Sequence, residues 1–349
     1  MKTNIVIPEE LFWDIRVPLS YNALFNFIVG MRGGGKTYGG LRWAIGNFLK
    51  SPKYNPRQFM YVRRYKTELE KLTQTRNGRL FNAVSAEFVE HELKAESNVL
   101  TCDKQVCGYA VPLSTSGTMK SDSFPNVTDI FFDEFIIDSR GSYHYLRDEV
   151  GCFLDLYETV ARGREVRVWF FGNAISTANP YFEYFNLDMP YNGKIQRFGK
   201  HKKMLVQNFS SPGLAEYRKN TSFGKIIADT EYSDYAYDNK MLLDNNDFIE
   251  KKSRASFYHM TIIYKNKKIG VWLDDRQGLY FISDDVLEDW ERIYCATTAD
   301  HKPNIMLMRY DKASRPLQLL VKAYECGAVR YETQALKCSF RDIMRFRNL

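Results

Sequence analysis

Eight consecutive residues carry the most specific chemistry in the chain. Gly30-Met31-Arg32-Gly33-Gly34-Gly35-Lys36-Thr37 fits the pattern G-x-x-x-x-G-K-[ST] in full. Glycines let successive backbone N–H groups turn inward around phosphate oxygens with no Cβ in the way. A helix that begins at such a turn adds the positive end of its dipole. Lys36 is then placed to bridge the β- and γ-phosphates of ATP, and the Thr37 hydroxyl to hold Mg²⁺. The expected binding turn is Gly30, Arg32, Gly33, Gly34, Gly35, Lys36 and Thr37.

A second group lies in Ile130-Phe131-Phe132-Asp133-Glu134. An apolar strand here delivers carboxylates to its carboxyl end, where open α/β sheets bind ligands. Asp133 is the expected Mg²⁺ residue, and Glu134 the acceptor of a proton from attacking water. Burying either acid without a partner is costly, so the pair argues for a purpose. A glutamate directly after the metal aspartate points to hydrolysis of ATP rather than transfer to a substrate hydroxyl. It also points to the phosphate-loop branch with an extra strand between the loop strand and the acid strand.

Three more positions are candidates with open alternatives. Asn173 ends the strand read over 166–173; it senses the γ-phosphate, hydrogen-bonds the attacking water, or simply forms a turn. Arg162 and Arg164 precede that strand, where a guanidinium can reach a neighbouring subunit's nucleotide or lie on the surface. Arg63 and Arg64 end the strand read over 58–63, facing phosphate, Glu134, nucleic acid or solvent-side ion pairs.

These side chains must be positioned by regular elements. The run 24–30 (LFNFIVG) reads as a buried strand, and Leu41, Ala44, Ile45, Phe48 and Leu49 give 36–50 helical spacing. The pattern predicts strands at 58–63, 128–135 and 166–173, helices at 67–82 and 148–162, a hairpin over 91–113 turning near Asp103–Lys104, and a polar loop at 114–126. Strands alternating with helices predict a parallel sheet covered on both faces. Residues 206–247 are polar and rich in Tyr and Asp, and read as a linker or lid. Beyond them, 257–264, 269–274 and 279–282 read as a three-stranded meander, followed by helical patterns at 315–328 and 339–347. The expected organisation is therefore α/β at 1–205, the linker or lid at 206–247, and a smaller α+β domain at 248–349.

Composition narrows the function classes. The 349 residues are 44% hydrophobic and 26% charged, which excludes global disorder. No run approaches the roughly 18 apolar residues of a membrane span, and Pro8, Glu9 and Glu10 stand where a signal peptide needs an apolar core, so neither membrane insertion nor export is expected. The six cysteines form no C-x-x-C pair and are expected to be reduced thiols. Lys plus Arg outnumber Asp plus Glu by 49 to 42, a net +7. The excess gathers in Lys194–Lys203, with five bases and no acid, and in Arg309–Leu349, with nine bases and four acids. Such clusters suit a polyanion or a solvated face.

Taken in order, GMRGGGKTY, MYVRRYKTELEK, FPNVTDIFFDEF, ETVARGREVR and GNAISTANPYFEYFNL, with EKKSRASF and IGVWLDDRQGLYFI further on, resemble the DNA-packaging ATPases of small phi29-like tailed phages. The resemblance covers nearly the whole chain. It implies a homo-oligomeric ring, a pentamer, that drives double-stranded DNA into a preformed capsid from the host cytoplasm. The ring would dock on the capsid portal, with a structural RNA as a further partner. It implies a phosphate-loop domain of the RecA-like branch, a linker or lid, and a C-terminal domain of ribonuclease-H-like fold without nuclease activity. Residue by residue, it implies that Lys36 and Thr37 hold triphosphate and metal, and that Asp133 and Glu134 serve metal and water. Arg162 corresponds to an arginine acting across subunits and Lys120 to a basic residue doing likewise. Arg63 and Asn173 correspond to positions that restrain Glu134. Lys120 and Lys66 are the expected contacts to DNA phosphates.

One departure from an active nuclease is visible in the residues. The strand Phe257-Tyr-His-Met-Thr-Ile-Ile-Tyr264 has no aspartate, and Asp274 and Asp275 come only at the end of the next. Without clustered carboxylates there is no two-metal site. Two competing readings remain at this level: a different phosphate-loop motor such as a helicase, and a nucleic-acid or capsid-docking protein for which nucleotide is only a structural ligand.

Overall fold

The structure is a computed structural model and describes residues 8–74, 78–119, 121–138, 143–242, 248–311 and 313–347. Packing divides the chain into two compact units, Met1–Leu243 and Asp244–Leu349.

The first unit is built on hydrophobic runs long enough to be strands and apolar on both faces. In chain order its elements are α1 (Arg16–Leu19), β1 (Phe25–Gly30), α2 (Lys36–Lys50), β2 (Gln58–Arg63), α3 (Lys66–Glu70), β3 (Leu93–Glu96), β4 (Val99–Cys102), β5 (Gln105–Pro112) and β6 (Val127–Asp133). They continue with α4 (Glu149–Ala161), β7 (Arg167–Asn173), α5 (Pro180–Phe185), β8 (Ile195–Phe198), β9 (Met204–Phe209), α6 (Pro212–Lys219), α7 (Ser222–Ile226) and α8 (Glu231–Ala236). One nine-stranded sheet runs β3-β4-β5-β2-β6-β7-β1-β9-β8. Its six central strands, β5 to β9 in that order, are parallel. The antiparallel β3–β4 pair and β8 form its edges. β7 stands between the loop strand β1 and the acid strand β6, which is the inserted strand the Asp133–Glu134 pair predicts.

Both sheet faces are buried. One packs Phe27, Phe132 and Phe170 under α5 and under α4, which contributes Phe153, with Phe27 and Phe170 stacked at 4.3 Å. The other packs Ile28, Phe59, Phe131 and Trp169 under α2 and the N-terminal Trp13. Such aromatic layers bury large areas per residue and fix the helices that flank the strands' carboxyl ends.

Four expectations are corrected here. The helix expected over 67–82 stops after Glu70, because the chain turns to bury Leu80, Phe81 and Val84, and Arg79 and Leu80 both donate to the Leu72 carbonyl. Gly78 makes that turn; a Cβ there would lie 2.4 Å from the Ala95 carbonyl oxygen. The hairpin expected over 91–113 is three strands with two turns, and the loop expected at 114–126 begins as a 3₁₀ helix, Leu113–Met119. The boundary expected at 205 would cut β9, which pairs along the whole of β1. Residues 206–242 belong to the first unit, since Leu214, Ala215, Tyr235, Ala236 and Tyr237 enter its core. Their helices are short, each started by a side-chain cap from Ser211, Thr221 or Thr230, so few apolar residues suffice to anchor them.

The second unit contains β10 (Phe257–Tyr264), β11 (Lys267–Asp274), β12 (Leu279–Ser283), β13 (Ile293–Cys295), β14 (Met306–Leu307), α9 (Arg315–Glu325), β15 (Val329–Tyr331) and α10 (Gln334–Arg347). The expected meander β10-β11-β12 is antiparallel. β13 and β14 join parallel on the β10 side and β15 parallel beside β12, giving the order β14-β13-β10-β11-β12-β15. The meander is thus extended by parallel strands at both of its edges. Leu317, Leu320 and Val321 of α9 and Leu336, Phe340 and Ile343 of α10 pack on it. The basic stretch from Arg309 is thus largely folded as helices. The other basic stretch forms edge strand β8, which carries Arg197, and the lysine-rich turn after it, and charge at a sheet edge opposes pairing with another sheet. All six cysteines are free, and no helix among the described residues is long and apolar enough to cross a membrane.

The costliest polar contact in the first core is Arg64–Glu149, with side chains 2% and 0% exposed. The guanidinium donates to both Glu149 oxygens and to the carbonyls of Glu134 and Phe135, so every charge is matched. Removing one partner strands the other in the core, at a cost of about 3–5 kcal/mol. Glu149→Ala is therefore expected to lower stability by that amount in denaturant unfolding of the full chain. A loss below about 1 kcal/mol would show that the pair is not held as described.

Candidate functional site

The site forms where β1, β6 and β7 end on one edge of the sheet. Gly30 pairs with Asn173 on one side and Phe209 on the other. No side chain fits there, since a Cβ would stand 2.3 Å from the Phe209 carbonyl oxygen. The loop then turns through Gly33 and Gly35 at φ +65° and +83°, a region that glycine enters without steric cost. Gly35 precedes α2, and no side chain caps that helix start, which leaves its first-turn N–H groups to a ligand in the cleft. The cleft measures about 340 Å³ and is lined by residues 32–38, Asp133, Glu134, Phe171, Gly172 and Asn173.

Lys36 is buried within this turn. Its Nζ donates to the Met31 carbonyl at 2.9 Å, the Gly30 carbonyl at 3.1 Å and Asn173 Oδ1 at 3.5 Å. Burial lowers its pKa to about 8; Asp133 opposes the shift and Arg218 adds to it. An ammonium so poorly solvated gains strongly from an anion.

The acids are held from three directions. Thr37 Oγ1 donates to both Asp133 oxygens at 3.1 Å, and Tyr61 OH donates to Oδ2 at 2.8 Å. Arg63 reaches Asp133 Oδ2 at 3.4 Å through Nη1 and Glu134 Oε2 at 2.6 Å through Nη2. Burial disfavours the Arg63 charge, but Tyr61, Asp133 and the neighbouring glutamates outweigh it and hold the guanidinium firmly protonated. Glu134 stands at φ +57°, a left-handed conformation unusual for a non-glycine residue, and its side chain is 56% exposed. The Thr37 hydroxyl and the Asp133 carboxylate are hard oxygen donors in contact, a donor set that fits Mg²⁺.

The structure separates the arginine pairs. Consecutive strand residues point to opposite faces, so Arg63 turns to the acids while Arg64 is the core partner of Glu149. Arg162 and Arg164 lie before the first residue of β7, whose far end is Asn173. Seven residues of strand put them about 20 Å from the chain's own loop. Arg164 is spent on the carbonyls of Phe124, Val127 and Val160, whereas exposed Arg162 donates to the Asp122 carbonyl. Of the two residues expected at Glu134, Arg63 holds it directly and Asn173 holds Lys36. Lys66 opens α3 just beyond β2, is 69% exposed and sits 3.6 Å from Glu70. Lys120 lies outside the described residues. Two contributors went unnoticed in the sequence. Tyr61 shares a strand face with Arg63 and could have been found by alternation; Arg218, which donates to the Arg32 and Gly33 carbonyls, left no local signal.

The chain matches the family described as Podovirus DNA encapsidation protein (Gp16) over residues 7–348. It is 37% identical over 330 residues to the DNA packaging protein of Bacillus phage phi29, covering 94% of this chain and 96% of that protein. It is 36% identical over 320 residues to the DNA packaging protein of Bacillus phage B103, covering 91% and 96%. Among solved structures it resembles a chain of the bacteriophage Phi-29 viral genome packaging motor assembly, with a TM-score of 0.78, 35% identity and coverage of 97% of this chain and 99% of that one. The N-terminal domain of the DNA packaging ATPase from bacteriophage phi29 matches at a TM-score of 0.51 and 38% identity, over 58% of this chain and 97% of that one. The chain belongs to the Podovirus DNA encapsidation protein family.

The Lys36 value yields a pH test. Its folded pKa of about 8 lies below the ordinary 10.5, so the buried ammonium detracts from stability below pH 8, and this deficit fades as pH rises from 8 toward 10.5. Only the charged form attracts phosphate, so affinity for ATP is expected to fall as pH rises through about 8. Fluorescent-nucleotide titrations from about pH 7 to 9.5 would read it, with Lys36→Arg as a variant whose charge does not titrate. Wild-type affinity that stays level across that range would contradict the assignment.

Proposed function

We propose that this chain is the motor subunit that hydrolyses ATP to drive double-stranded DNA into a phage capsid, working in a homo-oligomeric ring docked on the capsid portal in the host cytoplasm. Membership of the encapsidation family supports the DNA and capsid partners, and the likeness to a chain of a solved packaging motor supports the ring. The resemblance noted in the sequence favours five subunits. The observation that carries the hydrolytic reading is the Arg63 guanidinium bridging Asp133 and Glu134 beside the phosphate loop.

In this reading the loop N–H groups and Lys36 grip the β- and γ-phosphates, and Lys36 exchanges its carbonyl partners for phosphate oxygens. Thr37 and Asp133 hold Mg²⁺, which supplies positive charge to the phosphoryl oxygens. Glu134 takes the proton of the attacking water. Its Oε2 is engaged by Arg63 in this structure, so the residue reaches the water only when the guanidinium lets go. Asn173, already in contact with Lys36, is suited to sense the γ-phosphate. Arg162 is too far from its own loop to serve it, and acts on the nucleotide of a neighbouring subunit. DNA is held by its phosphates through Lys66 and Lys120, as packaging of any sequence requires.

The second unit binds or docks without cutting. β10 carries no carboxylate. Asp274 accepts from Ser253 Oγ and from the Arg276 and Gln277 amides, and Asp300 from the Lys265 and Asn266 amides. Both are turn-closing acids engaged with backbone.

Hydrolysis assays with and without duplex DNA test the roles. Glu134→Gln is expected to keep bound ATP and lose turnover by about 100-fold or more. Arg63→Ala is expected to raise hydrolysis without DNA several-fold and to erase most of the DNA stimulation; a parallel fall of both rates would end the restraint reading. Arg162→Ala is expected to bind ATP normally yet lose about 1,000-fold of the assembled ring's turnover. Mixing it with Glu134→Gln subunits should restore activity only at the interfaces that pair an intact arginine with an intact glutamate. Normal turnover by an all-Arg162→Ala ring would refute the cross-subunit role.

A further inference from the structure

The side chain of Arg218 leaves α6, within the stretch that reads as a polar linker, and ends on the phosphate loop. Its Nη1 donates to the Arg32 carbonyl and its Nη2 to the Gly33 carbonyl at 2.7 Å. The fork presses on Gly33, where a Cβ would come within 2.7 Å of Nη2. Among the described residues no carboxylate pairs with it, and burial lowers its pKa from the usual arginine value. An arginine placed this way gains little as an ion-pair partner and much as a double donor to two successive carbonyls.

Peptide planarity turns that contact into a statement about phosphate binding. In a trans peptide the carbonyl of one residue and the N–H of the next point in opposite directions. Fixing the Arg32 and Gly33 carbonyls on the outer side of the loop therefore fixes the Gly33 and Gly34 N–H groups toward its inner side. Those are two of the donors that a glycine-rich loop offers to phosphate, for which the Gly34 N–H would exchange its present acceptor, the Met31 carbonyl at 3.3 Å.

We infer that Arg218 is a positioning residue for the nucleotide: its fork orients the Gly33 and Gly34 amides, and it makes the loop's grip on phosphate depend on where α6 sits. This rests on the reading that the loop binds a triphosphate, and not on DNA movement. α6 is itself firmly tied. Ser211 caps it directly after β9, and Leu214 and Ala215 enter the core. The Arg218 carbonyl accepts from Thr221 Oγ1 at 2.7 Å, and a Cβ on Gly224 would stand 2.1 Å from that oxygen, so α6 and α7 are in close contact. Lys219 pairs with Asp238 beyond α8 at 2.6 Å. A displacement of α6 thus reaches the Arg32 and Gly33 carbonyls through the Arg218 fork, and phosphate entering the loop acts back on the same contacts.

Equilibrium titration of the full chain with fluorescent ATP and ADP tests this, alongside steady-state hydrolysis and thermal unfolding. Arg218→Ala is expected to weaken ATP and ADP alike by about tenfold and to raise KM by the same factor, while kcat at saturating ATP stays within about threefold. Arg218→Lys keeps the charge without the fork and is expected to bind like the alanine variant. Full recovery by lysine would overturn the inference, because charge alone would then suffice. So would unchanged nucleotide affinity in Arg218→Ala, with or without a lowered melting temperature. Lys36→Ala separates the two levels of the argument: its loss of nucleotide binding upholds the phosphate-loop reading even if Arg218→Ala has no effect, whereas normal binding by Lys36→Ala would bring down that reading and this inference together.

Discussion

Lys36, Arg63, Asp133 and Glu134 meet at the carboxyl ends of β1, β2 and β6, and the rest of the first unit is arranged around that meeting. Lys36, Arg63 and Asp133 are largely shielded from water, and burying any of these charges without a partner would be costly. Two cations facing two acids make the cluster tolerable, and they make it responsive. A polyanion that arrives at Lys36 alters the balance felt by Asp133, and through Arg63 the balance felt by Glu134. The parallel sheet is what allows this, because it lines up several strand ends at one edge with helix starts beside them.

The opposite edge of the same sheet has a different character. The amino end of β7 is preceded by Arg162 and Arg164, one exposed and one fastened to three carbonyls. Arg164 is held by three carbonyls, while the exposed Arg162 is held, among the described residues, by the Asp122 carbonyl alone. A chain with its loop at one edge and an exposed guanidinium at the other has the geometry that the proposed cross-subunit arginine requires.

Much of this was legible in the sequence because the residues concerned carry their own geometry. The glycine-rich turn, its lysine and its threonine admit few backbones, and strands β1, β2, β6 and β7 are apolar runs too short for helices. What stayed hidden depended on which way a side chain pointed. Arg63 and Arg64 look alike as adjacent bases, yet one serves the acids and the other is sealed with Glu149. The stretch 206–242 looks like a linker because its composition is polar; only a few residues, among them Leu214 and Tyr235, bury it. The helix that ends at Glu70 was overridden by the burial of Leu80 and Phe81, a tertiary effect that local spacing does not contain. Arg218 belongs to the same class: its partners are carbonyls 185 and 186 positions away.

The neighbouring arginines at the end of β2 have one more consequence. Moving this strand by a single position against β5 and β6 would turn both side chains to the opposite faces of the sheet, taking Arg64 away from Glu149 and Arg63 away from Asp133 and Glu134. Each would lose its matched acceptors, and the chain would have to strip water from a guanidinium to get there. The register of β2 thus sets both ion pairs at once: the seating that seals Arg64 with Glu149 is also the seating that brings a cation to Glu134.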